Sequence, residues 1–315
     1  MRQALDGQIV FFAVPAEEYG EIAFKKRLIE EGKIVYCGGK CELIRQGAFD
    51  DINLCVTHHS NMIGSFLGDG SGNGFVSKLI TYTGRSAHAA SKPENGINAL
   101  SAASLGLSAL AYQRETFRDQ DCVRVHPILT EGGTIVNAVP ERAVVETLVR
   151  AGNLEAMQDA SLKTDRAFMA GAYAMGAKCH IETMPGYLPY VESATPAAIR
   201  ELVTQTLQRE IPPFPAGAHS AGSSDVGDVQ SLMPCLPFKT GGVRGGLHSS
   251  AFEVTDEDEA YVLTAKLFAL HAYALLRDGA GLAGQICRDY RPIFTTKDAY
   301  LDYMESMRCE KDFDA

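Results

Sequence analysis

The chain has 315 residues, 46% hydrophobic and 22% charged, with 30 Gly, 13 Pro, 8 Cys and no Trp; such fractions are globular and exclude disordered, collagenous and low-complexity classes. A formal net charge of −10 argues against a nucleic-acid partner, which needs a cationic surface to displace phosphate counterions. No apolar run is long enough for a signal peptide or a bilayer span, and the scattered cysteines do not form a disulfide framework, so the chain reads as cytoplasmic, with reduced thiols and no membrane partner.

Taken in chain order, Gln8–Val14 is almost wholly apolar, the pattern of a strand buried on both faces in a parallel sheet. Glu21–Gly32 reads as a helix closed by glycine. Asn53–Thr57 reads as a second strand running into His58 and His59, and the glycine-dense stretch Gly64–Gly74 as a hinge or boundary. Beyond it the pattern changes: strand Phe75–Thr83, helix Asn95–Gln113, strands Cys122–Thr130 and Arg142–Arg150, helix Leu154–Met175, strand Ala177–Thr183. That β-α-β-β-α-β order is ferredoxin-like, and it places an inserted domain at 74–184 inside another domain made of 1–73 and 185–280. The second part holds helices Pro196–Arg209 and Glu257–Leu276 around a Gly/Ser-rich loop system, and 281–315 reads as a polar tail.

Pro15-Ala16-Glu17-Glu18 directly follows the first predicted strand, where ligands collect in open α/β sheets. Two adjacent carboxylates in a dry site need a cation or a proton between them; the same pair reads equally as a solvated turn opening the next helix. His58-His59 ends a strand and Gly246-Leu247-His248 lies in a Gly-rich loop, so Glu, His and His together make a zinc or manganese ligand set. Cys37 and Cys41 are spaced C-x3-C without a second pair, which speaks against a zinc site there.

In this order stand Pro15-Ala16-Glu17-Glu18, His59, Gly84-Arg85-Ser86-Ala87-His88-Ala89-Ala90, Asn95-Gly96-Ile97-Asn98-Ala99-Leu100, the run Gly132–Pro140 and Leu247-His248-Ser249. The set resembles the aminoacylase and carboxypeptidase-like dinuclear metallopeptidases, in the amidohydrolase branch with hippurate hydrolase, auxin-conjugate hydrolases and aminobenzoyl-glutamate hydrolase. The resemblance implies a partial parallel-sheet α/β catalytic domain carrying the inserted domain as a lid and dimerisation element, hence a homodimer. It implies that Glu17 is the general base, that Glu18, His59 and His248 are metal ligands, that His88 polarises the scissile carbonyl, and that Asn137 lies near the substrate. Two Zn or Mn ions per complete site and an N-acyl or N-aroyl amino acid as substrate belong to the same implication. Family members carry, ahead of the first strand, a Cys-Gly-His-Asp-x-His-type motif supplying a bridging Cys and a further His. No Cys-Gly-His triplet occurs in these 315 residues. The resemblance therefore implies a fragment of a larger product or a separate N-terminal segment as partner.

Ala218-His219-Ser220-Ala221-Gly222 mimics a nucleophile elbow, but the proline-rich Ile211–Pro215 before it cannot be the central strand an elbow needs. Gly68–Gly74 follows no clear strand and opens no helix, unlike a phosphate loop. Ser223-Ser224-Asp225-Val226-Gly227-Asp228 reads either as a wall of the substrate pocket or as a helix N-cap. Two functional classes follow: a metal-dependent amidohydrolase, or a non-catalytic subunit keeping the lid and dimer surface without a complete metal site.

Overall fold

The computed structural model describes residues 5–314; Met1–Ala4, at the start of the first predicted segment, and Ala315, at the end of the last, lie outside the described residues. The first part carries helices α1 (Ile22–Glu30) and α2 (Gly39–Arg45), strand β1 (Cys55–Ser60) and the two-residue strands β2 (Phe66–Leu67) and β3 (Ser71–Gly72). Gln8–Val14 is not the expected strand. It is an irregular segment in which Ile9 is 66% and Phe11 88% exposed. Phe12 and Val14 are half-buried, Phe12 stacked on Phe49 at 4.7 Å. A strand apolar on both faces holds only between neighbours that pair its edges and cover its faces, and among the described residues no strand pairs with this one. His58 and His59 correct the reading in a second way, since both lie inside β1 and not beyond its end.

The glycine-dense hinge leads into β4 (Gly74–Thr83), α3 (Ala99–Gln113), β5 (Arg124–Val125), β6 (Ile128–Glu131), β7 (Arg142–Ala151), α4 (Leu154–Met175) and β8 (Lys178–Tyr187). Pro127 has no N–H to donate, and it splits the single strand expected over 122–130 into β5 and β6. The antiparallel order β8-β4-β7-β5, with β6 also on β7, is the ferredoxin-like arrangement. Asn98 and Asn153 cap α3 and α4, each side-chain oxygen accepting an N–H at 2.9 Å, and Gly176 closes α4 at φ 64°. The two helices cross on small residues: a Cβ at Gly171 would lie 2.3 Å from the carbonyl oxygen of Ala102.

The chain then gives α5 (Ala197–Leu207), β9 (His219–Ser220), α6 (Val226–Gln230), β10 (Cys235–Thr240), β11 (Val243–Arg244), β12 (Glu253–Val254) and the long α7 (Leu263–Asp289). β1 and β10 pair in parallel, residue for residue from Cys55↔Cys235 to Ser60↔Thr240, and β2 adds antiparallel to β10. So the part before the sandwich and the part after it share one small, partly parallel sheet. Leu67, Ile199, Val203, Phe238 and Leu267 form its core with α5 and α7. α7 loses helical geometry at Arg277–Ala280, just past the expected end of the helix at Leu276.

The expected polar tail is structured. Beyond α7 lie α8 (Lys297–Ser306), capped by Thr296, and β13 (Cys309–Phe313), which pairs antiparallel with β8 as an added edge strand of the sandwich. Tyr300 and Met304 of α8 are fully buried in the main core.

Candidate functional site

Glu17 and Glu18 sit on a loop that three contacts hold from behind. A Cβ at Gly39 would lie 2.3 Å from the carbonyl oxygen of Pro15, so only glycine lets the start of α2 approach this closely. Ala16 takes φ 52°, a left-handed conformation that turns the chain sharply before Glu17. The hydroxyl of Tyr187, at the end of β8, donates to the Glu17 carbonyl oxygen.

The Glu17 carboxylate accepts from the Ser224 hydroxyl at 3.2 Å. Next to Ser224, the fully buried Asp225 clamps Lys40 twice, accepting from its Nζ at 2.5 Å and from its backbone N–H at 2.9 Å. Burial lifts Asp225 to about 6, against the pull of Lys40. Asp228, also fully buried, is pushed by desolvation up to about 8 and accepts from Tyr300 Oη at 2.9 Å. The Ser223–Asp228 run thus lies behind Glu17; the Asp225 side chain makes no cap on α6, while Ser224 Oγ accepts from the Val226 N–H at 3.4 Å.

Glu18 Oε1 faces His248 Nε2 at 3.7 Å, with both side chains more than 70% exposed. His248 has φ 60°, a strained conformation for a residue with a Cβ. His59 is exposed, and its Nδ1 lies 2.7 Å from the carbonyl oxygen of Ser60. Its neighbour His58 turns inward, hydrogen-bonds Thr240 Oγ1 at 2.7 Å, and is held down to about 4 by burial and by the nearby His59. Among the described residues no three His, Cys, Asp or Glu side chains converge as a metal-holding group. The residues present therefore do not enclose a metal by themselves.

His88 and Asn137 come together on the sandwich. His88 bridges Ala138, and the Ala89 N–H donates to the Asn137 carbonyl at 3.0 Å. The Nδ1 of His88 accepts the N–H groups of Ala90 and Ser91, each at 3.2 Å, so its hydrogen sits on Nε2 and points a donor outward. Among the described residues neither side chain is hydrogen-bonded or ion-paired to Glu17, Glu18, His59 or His248.

The serine-hydrolase mimic resolves as hinge stitching. Asn73 Nδ2 donates to the Cys122 carbonyl at 2.9 Å, so its Oδ1 accepts from His219 Nε2 at 2.9 Å, and Ser71 donates to His219 Nδ1 at 2.9 Å. The Ser220 side chain has no part in that chain; its Oγ accepts from the Gly222 N–H at 3.1 Å, and its carbonyl from the Asn73 N–H at 3.1 Å. Sequence reasoning missed Tyr187 and Lys40, whose roles depend on contacts 170 and 185 residues apart. Ser224 and Asp225 carried a signal in the Ser-Ser-Asp run, without a role.

Residues 73–170 match the family model of the peptidase dimerisation domain. The Xaa-Arg dipeptidase of Mus musculus is 27% identical over 285 residues, covering 88% of this chain and 61% of that protein. A p-aminobenzoyl-glutamate hydrolase component from Escherichia coli is 29% identical over 154 residues, 48% of this chain and 28% of that one. Among solved structures, a dinuclear metal-binding peptidase of the M20 family from Bacillus subtilis superposes with a TM-score of 0.53 at 17% identity, over 80% of this chain and 69% of that chain. The chain spans about three fifths of the length of the dipeptidase it matches.

Proposed function

We propose, from the premise that the chain is a member of the M20 family of peptidases and amidohydrolases to which it is similar, that it supplies the general base and the lid of an enzyme hydrolysing the amide bond of N-acyl or N-aroyl amino acids. The observation that carries the proposal is the built environment of Glu17. Tyr187 fixes its backbone, Ser224 fixes its carboxylate, and Gly39 leaves room for the turn. A carboxylate so held is prepared to take a proton from an attacking water. His88, with its donor hydrogen on Nε2, is suited to polarise the amide carbonyl, and Asn137 lies beside it on the same surface.

Glu18, His59 and His248 are proposed as ligands of Zn or Mn. Because the described residues do not enclose a metal, they would act only with ligands from outside these 315 residues, in a longer product or a separate polypeptide. We assign the catalytic domain to 1–73 and 185–280 and the lid to 74–184. The lid would pair two protomers along the edge of β5 and β6, where Ile128 is 60% and Leu129 43% exposed. The eight free cysteines, four of them buried, support a cytoplasmic location.

The test is reconstitution with the N-terminal segment of a close relative, fused or co-expressed. Hydrolysis of an N-benzoyl or N-acetyl amino acid should appear and be abolished by chelator. In that background Glu17→Gln should keep metal content and lose about 10²–10⁴ in rate. Glu18→Gln and His248→Ala should lose metal and activity together. A fully active Glu17→Gln enzyme would refute the assignment of the base.

A further inference from the structure

We propose that Lys25 is the positioning residue that holds the backbone of Glu18 in place beside Glu17; the proposal rests on the reading of these two carboxylates as one site. Lys25 is 7% exposed, yet its ammonium pairs with no carboxylate among the described residues. It donates instead to two backbone carbonyls, that of Glu18 and, at 2.9 Å, that of Cys37. Taking an ammonium out of water without a counter-charge is costly, and a methionine of similar length would fill the space without that cost. What the ammonium adds is several donors on one atom, enough to bind two carbonyls at once.

The two carbonyls mark the ends of one excursion of the chain. Between Glu18 and Cys37 the chain leaves the site, forms α1 against the sandwich and returns to enter α2. Lys25 closes the first turn of α1, its N–H donating to the Glu21 carbonyl at 3.0 Å. Side chains of a helix lean toward its N-terminus, so the Lys25 stem runs back toward Glu18. Its neighbour Lys26 turns to the sandwich and pairs with Glu182 of β8 at 2.7 Å.

The contacts that hold the loop from behind act on Pro15, Ala16 and Glu17. Beyond the pair, the Tyr19 ring packs edge-on against Phe75 and Tyr187, which fixes a side chain and not the peptide before it. The Glu18 carbonyl has Lys25 as its one hydrogen-bond donor among the described residues. Lys25 also closes a circuit. From Cys37 the chain passes Gly39, in close approach to Pro15, and reaches Lys40, which Asp225 clamps; Ser224 beside Asp225 holds the Glu17 carboxylate. Glu17 is thus tied to the start of α2 through Ser224, and Glu18 through Lys25. Removing the ammonium opens the circuit at Glu18 and frees the peptide planes Glu18–Tyr19 and Cys37–Gly38 to turn.

The experiment begins with the full chain. In the native protein the Lys25 ammonium nitrogen should show scalar couplings to the carbonyl carbons of Glu18 and Cys37 by nuclear magnetic resonance. Lys25→Met should lower the amide order parameters of Tyr19 and Gly38 from about 0.85, typical of rigid backbone, to below about 0.6. Lys25→Gln, neutral and shorter, gives the same readout where Lys25→Met does not fold. Lys26→Met, which cuts α1 from Glu182, should leave both amides rigid. In the reconstituted hydrolase Lys25→Met should lower kcat and kcat/KM together, by about tenfold to a hundredfold, and Lys26→Met should lower neither. Missing couplings, amides that stay rigid without Lys25, an equal loss of order in Lys26→Met, or a native kcat in Lys25→Met each overturns the proposal. A reconstitution without hydrolysis counts against the proposed reaction instead, and the measurements on the chain alone still decide the role of Lys25.

Discussion

Two backbone N–H groups aimed at Nδ1 of His88 decide its tautomer before any substrate arrives. Nitrogen-15 spectra of the intact chain should therefore show the neutral ring with Nδ1 unprotonated and Nε2 protonated; the opposite tautomer would remove the ground for its role at the carbonyl. Asp228 gives a pH prediction. Its carboxyl titrates near 3.8 in the unfolded chain and is pushed to about 8 by burial in the fold. The folded state thus holds a proton that the unfolded state gives up, so this contribution is complete below about pH 4 and is lost as pH climbs toward 8. Asp228→Asn stays neutral throughout. Melting curves from pH 4 to pH 8 should show the native chain losing stability relative to Asp228→Asn, and parallel curves would contradict the assignment. Glu17, Glu18 and His248 stand out in the sequence as candidates because short strings of unusual residues carry them, and the structure adds that Glu18 faces His248 at 3.7 Å. The role of Ser224 does not stand out, since nothing in local spacing encodes a partner 207 positions away.

At the scale of elements, the best-read pieces are those with local punctuation. α4 starts and stops where Asn153 and Gly176 put it, and its crossing with α3 rests on glycines that no pattern of polarity reveals. Gly171→Ala would set a methyl group against the Ala102 carbonyl and force the helices apart; overpacking of this kind costs about 1–3 kcal/mol, readable as a lowered denaturation midpoint with an unchanged slope. Gln8–Val14 misleads because apolar periodicity reports what a segment wants to bury, not whether neighbours exist to bury it. β13 escapes notice for the converse reason: Cys-Glu-Lys-Asp-Phe is charged, as a protected edge strand tends to be, and it forms by pairing with β8 rather than by its own pattern.

For the whole molecule, among the described residues the sheet of the sandwich has one edge covered by β13 and one open edge at β5 and β6. The proposed dimer, argued from the matched dimerisation domain and the exposed Ile128 and Leu129, should weaken when charge is placed on the open edge. Sedimentation should show Leu129→Lys shifted toward monomer with its circular dichroism intact, and an unaltered dimer would place the interface elsewhere. The covered edge has a history during synthesis. β13 follows β8 by about 120 residues, roughly 6–24 s of translation at about 5–20 residues per second. Through that interval the sandwich can be formed on the ribosome while the hydrogen-bonding groups of β8 face whatever passes. Two nascent copies on neighbouring ribosomes meet at an edge that the finished chain does not offer. Yield of native protein should then depend on how quickly the stretch between residues 188 and 308 is translated, an influence of codon choice on a molecule whose mature surface gives no hint of it.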